Sequence, residues 1–218
     1  EHLSLLYRMK QINFDMNYTK IRLSQKEMEL IANADWILTK NGILKKIDHF
    51  FSALQVKQKD WLDTNHPSFT EELLQSSPKI SKGEYYNGLP YRMLDFPKKF
   101  KQSEIFAIRT MFWWGHFFSV TIHLSGNYKT LHQKKIIASY SSLIESGFYC
   151  CINEEQWEHH FGDTNYKLIE KLSEQEFKKI VKNSSFCKIA YKVPVQEFET
   201  VEKQLLSNFK KIIEILAD

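Results

Sequence analysis

The chain has 218 residues, 43% of them hydrophobic and 14% aromatic, which is enough apolar mass for one substantial core and short for two. Seven Gly and five Pro exclude a fibrous or low-complexity chain. A net charge of +4 is a weak pointer to acidic partners, and the excess of lysine over arginine is one that genome composition alone can produce.

Three cysteines, Cys150 and Cys151 adjacent and Cys187 apart, make no disulfide framework. Neighbouring residues on a strand point to opposite faces, so the pair reads as reduced and buried, which suits a cytoplasmic protein. No apolar run reaches the roughly 20 residues of a membrane helix. The chain opens at Glu1 rather than Met, which leaves a trimmed start or a removed signal peptide open.

Residues 1–23 mix a helical turn (Leu3, Leu6, Tyr7) with strand-like alternation at Ile12, Phe14, Met16 and Tyr18. Ser24 and Glu27 form a capping-box pattern ahead of Met28, Ile31, Ala34 and Leu38. Asn41-Gly42 is expected to break that helix, with a second one through Leu44, Ile47, Phe51 and Leu54, giving a helical hairpin over about 24–58. Residues 63–88 read as a loop holding one short helix near Ser68–Leu74. A short strand, Leu89–Phe96, is expected to stop at Pro97.

The central stretch, Ile105 to Gly126, is too long for one strand and turns at Gly115. Even positions carry Phe106, Ile108, Phe112, Phe118, Val120 and Ile122, and odd positions carry Arg109, Met111, Phe117, Ser119, Thr121 and His123. A three-residue loop, Trp113-Trp114-Gly115, keeps both faces coherent and sets Arg109 opposite Ser119. The even face then packs under helices. The odd face, flanked by Tyr85, Tyr86, Tyr91 and Arg92, resembles an aromatic pocket with a few polar groups. Its bland alternative is an amphipathic face half covered by the preceding loop.

Beyond the hairpin, Asn127 caps a helix whose face is Leu131, Ile137, Tyr140 and Ile144 and which ends at Gly147. Phe148–Ile152 reads as a strand, and Ser173 with Glu176 repeats the capping box. Phe186–Val193 alternates Cys187, Ile189, Tyr191 and Val193 with Lys188 and Lys192, a half-buried strand pattern. The last helix lines up Phe198, Val201, Leu205, Phe209, Ile212 and Leu216 for the core.

The expected fold is therefore one α+β domain over 1–218. An antiparallel sheet is centred on a long hairpin at about 105–125, with helices packed on one face and a C-terminal amphipathic helix.

Three functions compete. The first is non-enzymatic binding of a small ligand or protein through the odd face, with Arg109, His123, Ser119, Thr121, Tyr91 and Arg92 as recognising groups. Arg92 and Asp95 read as a surface ion pair; the sharper alternative places Arg92 and Arg109 together around a carboxylate or phosphate. The second is a metal-assisted hydrolase using His159, His160, Asp163 and Glu155. On a helix, Glu155 and His159 would share a face, as would His160 and Asp163, and such donors suit zinc or iron. The spacing matches no closed metal motif, and a polar loop anchored by Trp157 is the plainer reading. The third is non-specific nucleic-acid binding, disfavoured because the lysines are spread and balanced by Glu. There is no phosphate loop and no nucleophile elbow; no cofactor is implied. The oligomeric state is not legible.

Overall fold

In the computed structural model, the residues described are 21–66, 77–101 and 104–217. Most of residues 1–23, and the short helix expected near Ser68–Leu74, lie outside them. The chain divides into two compact units, one ending at Ile43 and the other starting at Leu44.

In the first unit, helix α1 (Gln25–Ala32) starts on the expected capping box: the Ser24 hydroxyl accepts from Glu27 N, and the Glu27 carboxylate accepts from Ser24 N. It ends at Asn33. The next helix, α2 (Ala34–Asn65), runs through Asn41-Gly42 without a break. The expected break at Asn41-Gly42 is thus absent, and the helices part at Asn33 instead. One Gly costs about 1 kcal/mol in a helix interior, and the burial of Leu44, Ile47, Phe51, Leu54 and Leu62 on its later turns outweighs that.

The second unit is a seven-stranded antiparallel sheet with α-helices against one face. Its strands are β1 (Lys79–Tyr86), β2 (Leu89–Lys101), β3 (Glu104–Trp113), β4 (Phe117–Ser125), β5 (Tyr149–Cys151), β6 (Tyr166–Leu168) and β7 (Phe186–Pro194), in the order β1-β2-β3-β4-β7-β5-β6. The helices after the hairpin are α3 (Gly126–Ala138), α4 (Tyr140–Glu145), α5 (Glu174–Asn183) and α6 (Phe198–Leu216).

Strand β1 lies where the sequence pattern predicts a loop, and it joins β2 through Asn87-Gly88. Both residues have positive φ (48° and 80°) and Tyr86 pairs with Leu89. That is the two-residue turn Asn-Gly favours most, a signal passed over in the sequence. Strand β2 continues past Pro97 to Lys101, with a register shift between Asp95 and Lys98. The bulge lets Pro, which has no N–H to give the ladder, remain within the strand.

The β3–β4 hairpin turns at Gly115 (φ 74°), but two residues later in register than expected. Trp113 pairs with Phe117 and Phe112 with Phe118, leaving Trp114-Gly115-His116 as the loop. Arg109 therefore faces Thr121, not Ser119. Trp113 stays in the strand because its ring has partners there. Its Nε1 donates to Tyr86 O at 3.2 Å, and the His116 ring stacks on it at 3.7 Å. The shift is even, so each side chain keeps its face.

The even face is the main core. Leu94, Phe96, Phe106, Ile108, Phe112, Phe118, Val120, Ile122 and Leu124 lie in one cluster with residues from α2 and α6. The α6 stripe is as expected except that Phe198 is half exposed and Ile213 is buried. Helix α3 buries Lys129, His132 and Ile136 instead, and Leu131 is exposed. Asn127 does not cap α3; it lies within the first turn and bonds Glu104. Cys150 joins the main core and Cys151 the opposite face, as the alternation of a strand requires, and all three thiols are free and buried.

Candidate functional site

The odd face is neither open nor half covered by the segment before it. Its roof is the stretch between β5 and β6, residues 152–165, which is not helical. The helix-face pairings expected for Glu155 with His159 and for His160 with Asp163 therefore do not form.

Under this roof lies a polar set buried to a depth that sequence alternation did not suggest. Arg109, Asp95, Ser119, Thr121, His123, Asn165 and Lys188 are all less than 9% exposed. Such groups cost several kcal/mol to desolvate unless partnered. Lys188 Nζ donates to the carbonyls of Gln156 and Glu158 and sits 5.2 Å from the Tyr166 ring. One ammonium thus ties the roof to β7. Tyr86 does the same from β1: its hydroxyl accepts from His159 N at 2.7 Å and His160 N at 3.0 Å, and donates to Glu158 Oε2. Asn165 Nδ2 donates to His160 O, and Thr121 bonds the Tyr166 hydroxyl.

Arg109 is paired with Asp95, Nε to Oδ1 at 2.7 Å. Its guanidinium lies 5.2 Å from the Trp157 ring and 5.5 Å from the Phe100 ring, both within cation–π range. Its Nη1 is buried and meets no hydrogen-bond acceptor among the described residues. His123 is fully buried, with Nε2 3.1 Å from Gln156 Oε1. An amide oxygen only accepts, so Nε2 carries the proton and Nδ1, which meets no hydrogen-bond partner among the described residues, is the lone-pair nitrogen. Burial first, then Arg109 and Lys188, hold the His123 pKa down at about 3, and burial with Lys188 and Arg109 holds His159 at about 2. Both rings are neutral at physiological pH.

Two expected members fall elsewhere. Arg92 has even parity and points to the helix face, where its Nε lies 3.0 Å from Asp48 and its Nη1 3.6 Å from Glu84. It neither pairs with Asp95 nor shares a pocket with Arg109, because the strand puts the two on opposite faces. Tyr91 is on the odd side but belongs to an aromatic cluster with Tyr86, Trp113 and Phe117 near the hairpin turn. Ser119 pairs across the strands with Met111 and Lys192.

The metal candidates are committed differently. His160 Nδ1 accepts from Gly162 N, and Glu155 Oε1 accepts from Trp157 N. No group of three or more His, Cys, Asp or Glu among the described residues is placed to hold a metal ion.

Where the roof ends there is a cleft of about 510 Å³, lined by Phe100, Lys101, Ile105, Ser125, Gly126, Gln156, Trp157, Ser185 and Phe186. Gln156 links it to His123, and Phe100 and Trp157 link it to Arg109. A second cavity, about 10 Å³ and walled by Ile, Leu and nothing polar, lies in the helix-side core and is too small for more than packing slack. Family models, curated proteins and solved structures give no match to this chain. The site must therefore be interpreted from its own chemistry. Sequence reading missed Lys188, taken as a solvent-facing alternation, and Gln156, Phe100 and Phe186. The neighbourhood of Phe100 and Trp157 is a non-local product of the roof and left no local signal.

Proposed function

We propose that this protein is a non-enzymatic binding domain that takes a small organic molecule in the cleft between Phe100, Ile105, Ser125, Gln156, Trp157 and Phe186. The observation that carries this reading is the lining itself. Three aromatic rings and one Ile supply apolar contact, while two hydroxyls, an amide and one ammonium supply direction. Its volume falls within the roughly 300–1,000 Å³ of small-molecule sites.

The state of the reactive groups supports binding over catalysis. Burial raises the pKa values of Cys150, Cys151 and Cys187, the last to about 12, so none is poised as a thiolate. A histidine at about 3 is a poor match for general base work near neutrality. Three free thiols also suit a reducing, cytoplasmic setting, and among the described residues no helix is long and apolar enough to cross a membrane.

The test is a fragment screen read by NMR on the Trp157 indole N–H, with Ser185→Trp as a variant that fills the cleft from its rim. Fragments that move the Trp157 signal in the wild type and not in Ser185→Trp support the reading. A diverse library that leaves Trp157 unmoved would overturn it.

A further inference from the structure

We infer that the molecule held in this cleft is an uncharged carbonyl compound. Its oxygen accepts from the Gln156 amide and the Ser125 hydroxyl, and its apolar body rests against Ile105, Phe186 and the open parts of Phe100 and Trp157. This rests on the cleft being a binding site and adds which end of a hydrogen bond the ligand brings.

Gln156 is oriented by His123. Nδ1 of that ring is buried and meets no hydrogen-bond partner among the described residues. A proton there would be a stranded donor, and among buried backbone groups an orphaned N–H is rarer than an under-used acceptor. The proton therefore sits on Nε2, and Gln156 turns its Oε1 toward it at 3.1 Å. That leaves the amide's Nε2, a donor and never an acceptor, without a partner among the described residues. The side chain is half-buried in the cleft wall.

Ser125 is committed in the same sense. Its Oγ accepts from Ile105 N at 3.0 Å, and although it stands at the N-cap of α3 it does not cap that helix. Its own proton meets no acceptor among the described residues. The first-turn N–H groups of α3, which begins at Gly126 in the cleft wall, have no side-chain cap from Ser125. The oriented groups of the wall thus offer donors, and a ligand oxygen is what completes them. It need carry no charge: Lys101 at the rim is matched by Glu104 at 3.8 Å, and Glu104 also accepts from Asn127. Arg109 lies over Phe100 and Trp157, so the space between those rings and the guanidinium is taken. Phe100 and Trp157 are nonetheless 42% and 45% exposed, and those open parts, with Ile105 and Phe186, are the apolar surface left for a ligand.

The probes are acetophenone and α-methylstyrene, in which a methylene replaces the carbonyl oxygen, titrated by NMR on the Trp157 indole N–H of wild type, Gln156→Glu and Ser185→Trp. Two neutral hydrogen bonds should make acetophenone bind the wild type about tenfold more tightly than α-methylstyrene. Gln156→Glu keeps an acceptor for His123 Nε2 and removes the donor from the cleft, so the preference should disappear. The wild type gives a second readout if Gln156→Glu does not fold: the Gln156 side-chain N–H resonances should shift with acetophenone and not with α-methylstyrene. Equal affinity for both probes, or a preference that survives Gln156→Glu, would overturn the carbonyl and leave the cleft standing if both signals are lost in Ser185→Trp. Failure of both probes while other fragments move Trp157 would overturn the carbonyl as well. A cleft in which no fragment moves Trp157 would overturn the binding site itself.

Discussion

Replacing Lys188 with Met tests the electrostatics of the roof most directly. Burial lowers the pKa of this ammonium from 10.5 to about 8. Between those values the unfolded chain still holds a proton that the folded Lys188 has released. The unfolded state thus binds more protons, and this group's contribution to stability rises with pH across the window. Integrated from about pH 7.5 to about pH 9.5, the gain is about 2 kcal/mol. The cysteines act with the opposite sign. Their folded pKa values are raised, so they contribute stability that is fully present below the ordinary thiol range and lost as pH rises through it. The raw wild-type curve sums both effects, and only the difference between wild type and Lys188→Met isolates the lysine. Met also leaves the Gln156 and Glu158 carbonyls without their donor, an offset of about 1–3 kcal/mol each that does not vary with pH. Urea denaturation of both proteins at the two pH values is the assay. The wild type should gain about 2 kcal/mol on the variant at the higher pH. A difference that stays constant would show that Lys188 is not desolvated as the geometry requires.

Two further outcomes are expected. Asp95→Ala strands the buried Arg109 guanidinium and should cost about 3–5 kcal/mol in chemical denaturation, with Asp95→Ala/Arg109→Met costing less than the single change; equal losses would mean that the pair is not coupled. Gly115→Ala adds a Cβ that meets nothing within 4 Å but forces an L side chain to φ 74°. It should cost about 1 kcal/mol by thermal or urea unfolding, and a neutral result would remove the left-handed turn from the account.

The parity of the central hairpin was readable because period-two alternation is local: Phe106, Ile108, Phe112 and Phe118 announce a core face wherever the turn falls. Its register was not, because the choice between two three-residue loops is made by what Trp113 touches, and Tyr86 is 27 residues away. Both capping boxes are four-residue patterns and were legible for the same reason. The long α2 misled because Asn-Gly is a stop signal only until distant burial outweighs it. Arg109 and His123 stood out by type. Their burial under residues 152–165, and the cleft at the end of that roof, depend on Lys188 and Tyr86 reaching across the sheet, which no window of sequence contains.

That reach has a consequence for how the protein is made. The roof segment precedes β7 in the chain, yet its ammonium tether comes from β7, while its hydroxyl tether comes from β1, more than seventy residues earlier. A ribosome-bound chain can have formed every strand of the hairpin region and still carry Arg109 and His123 bare to water. The cleft, and the neutral state of the imidazoles under the roof, come into being only when a later strand is added to the sheet. Binding competence should therefore be among the last properties acquired during synthesis, and contacts of the roof should be absent from the folding transition state.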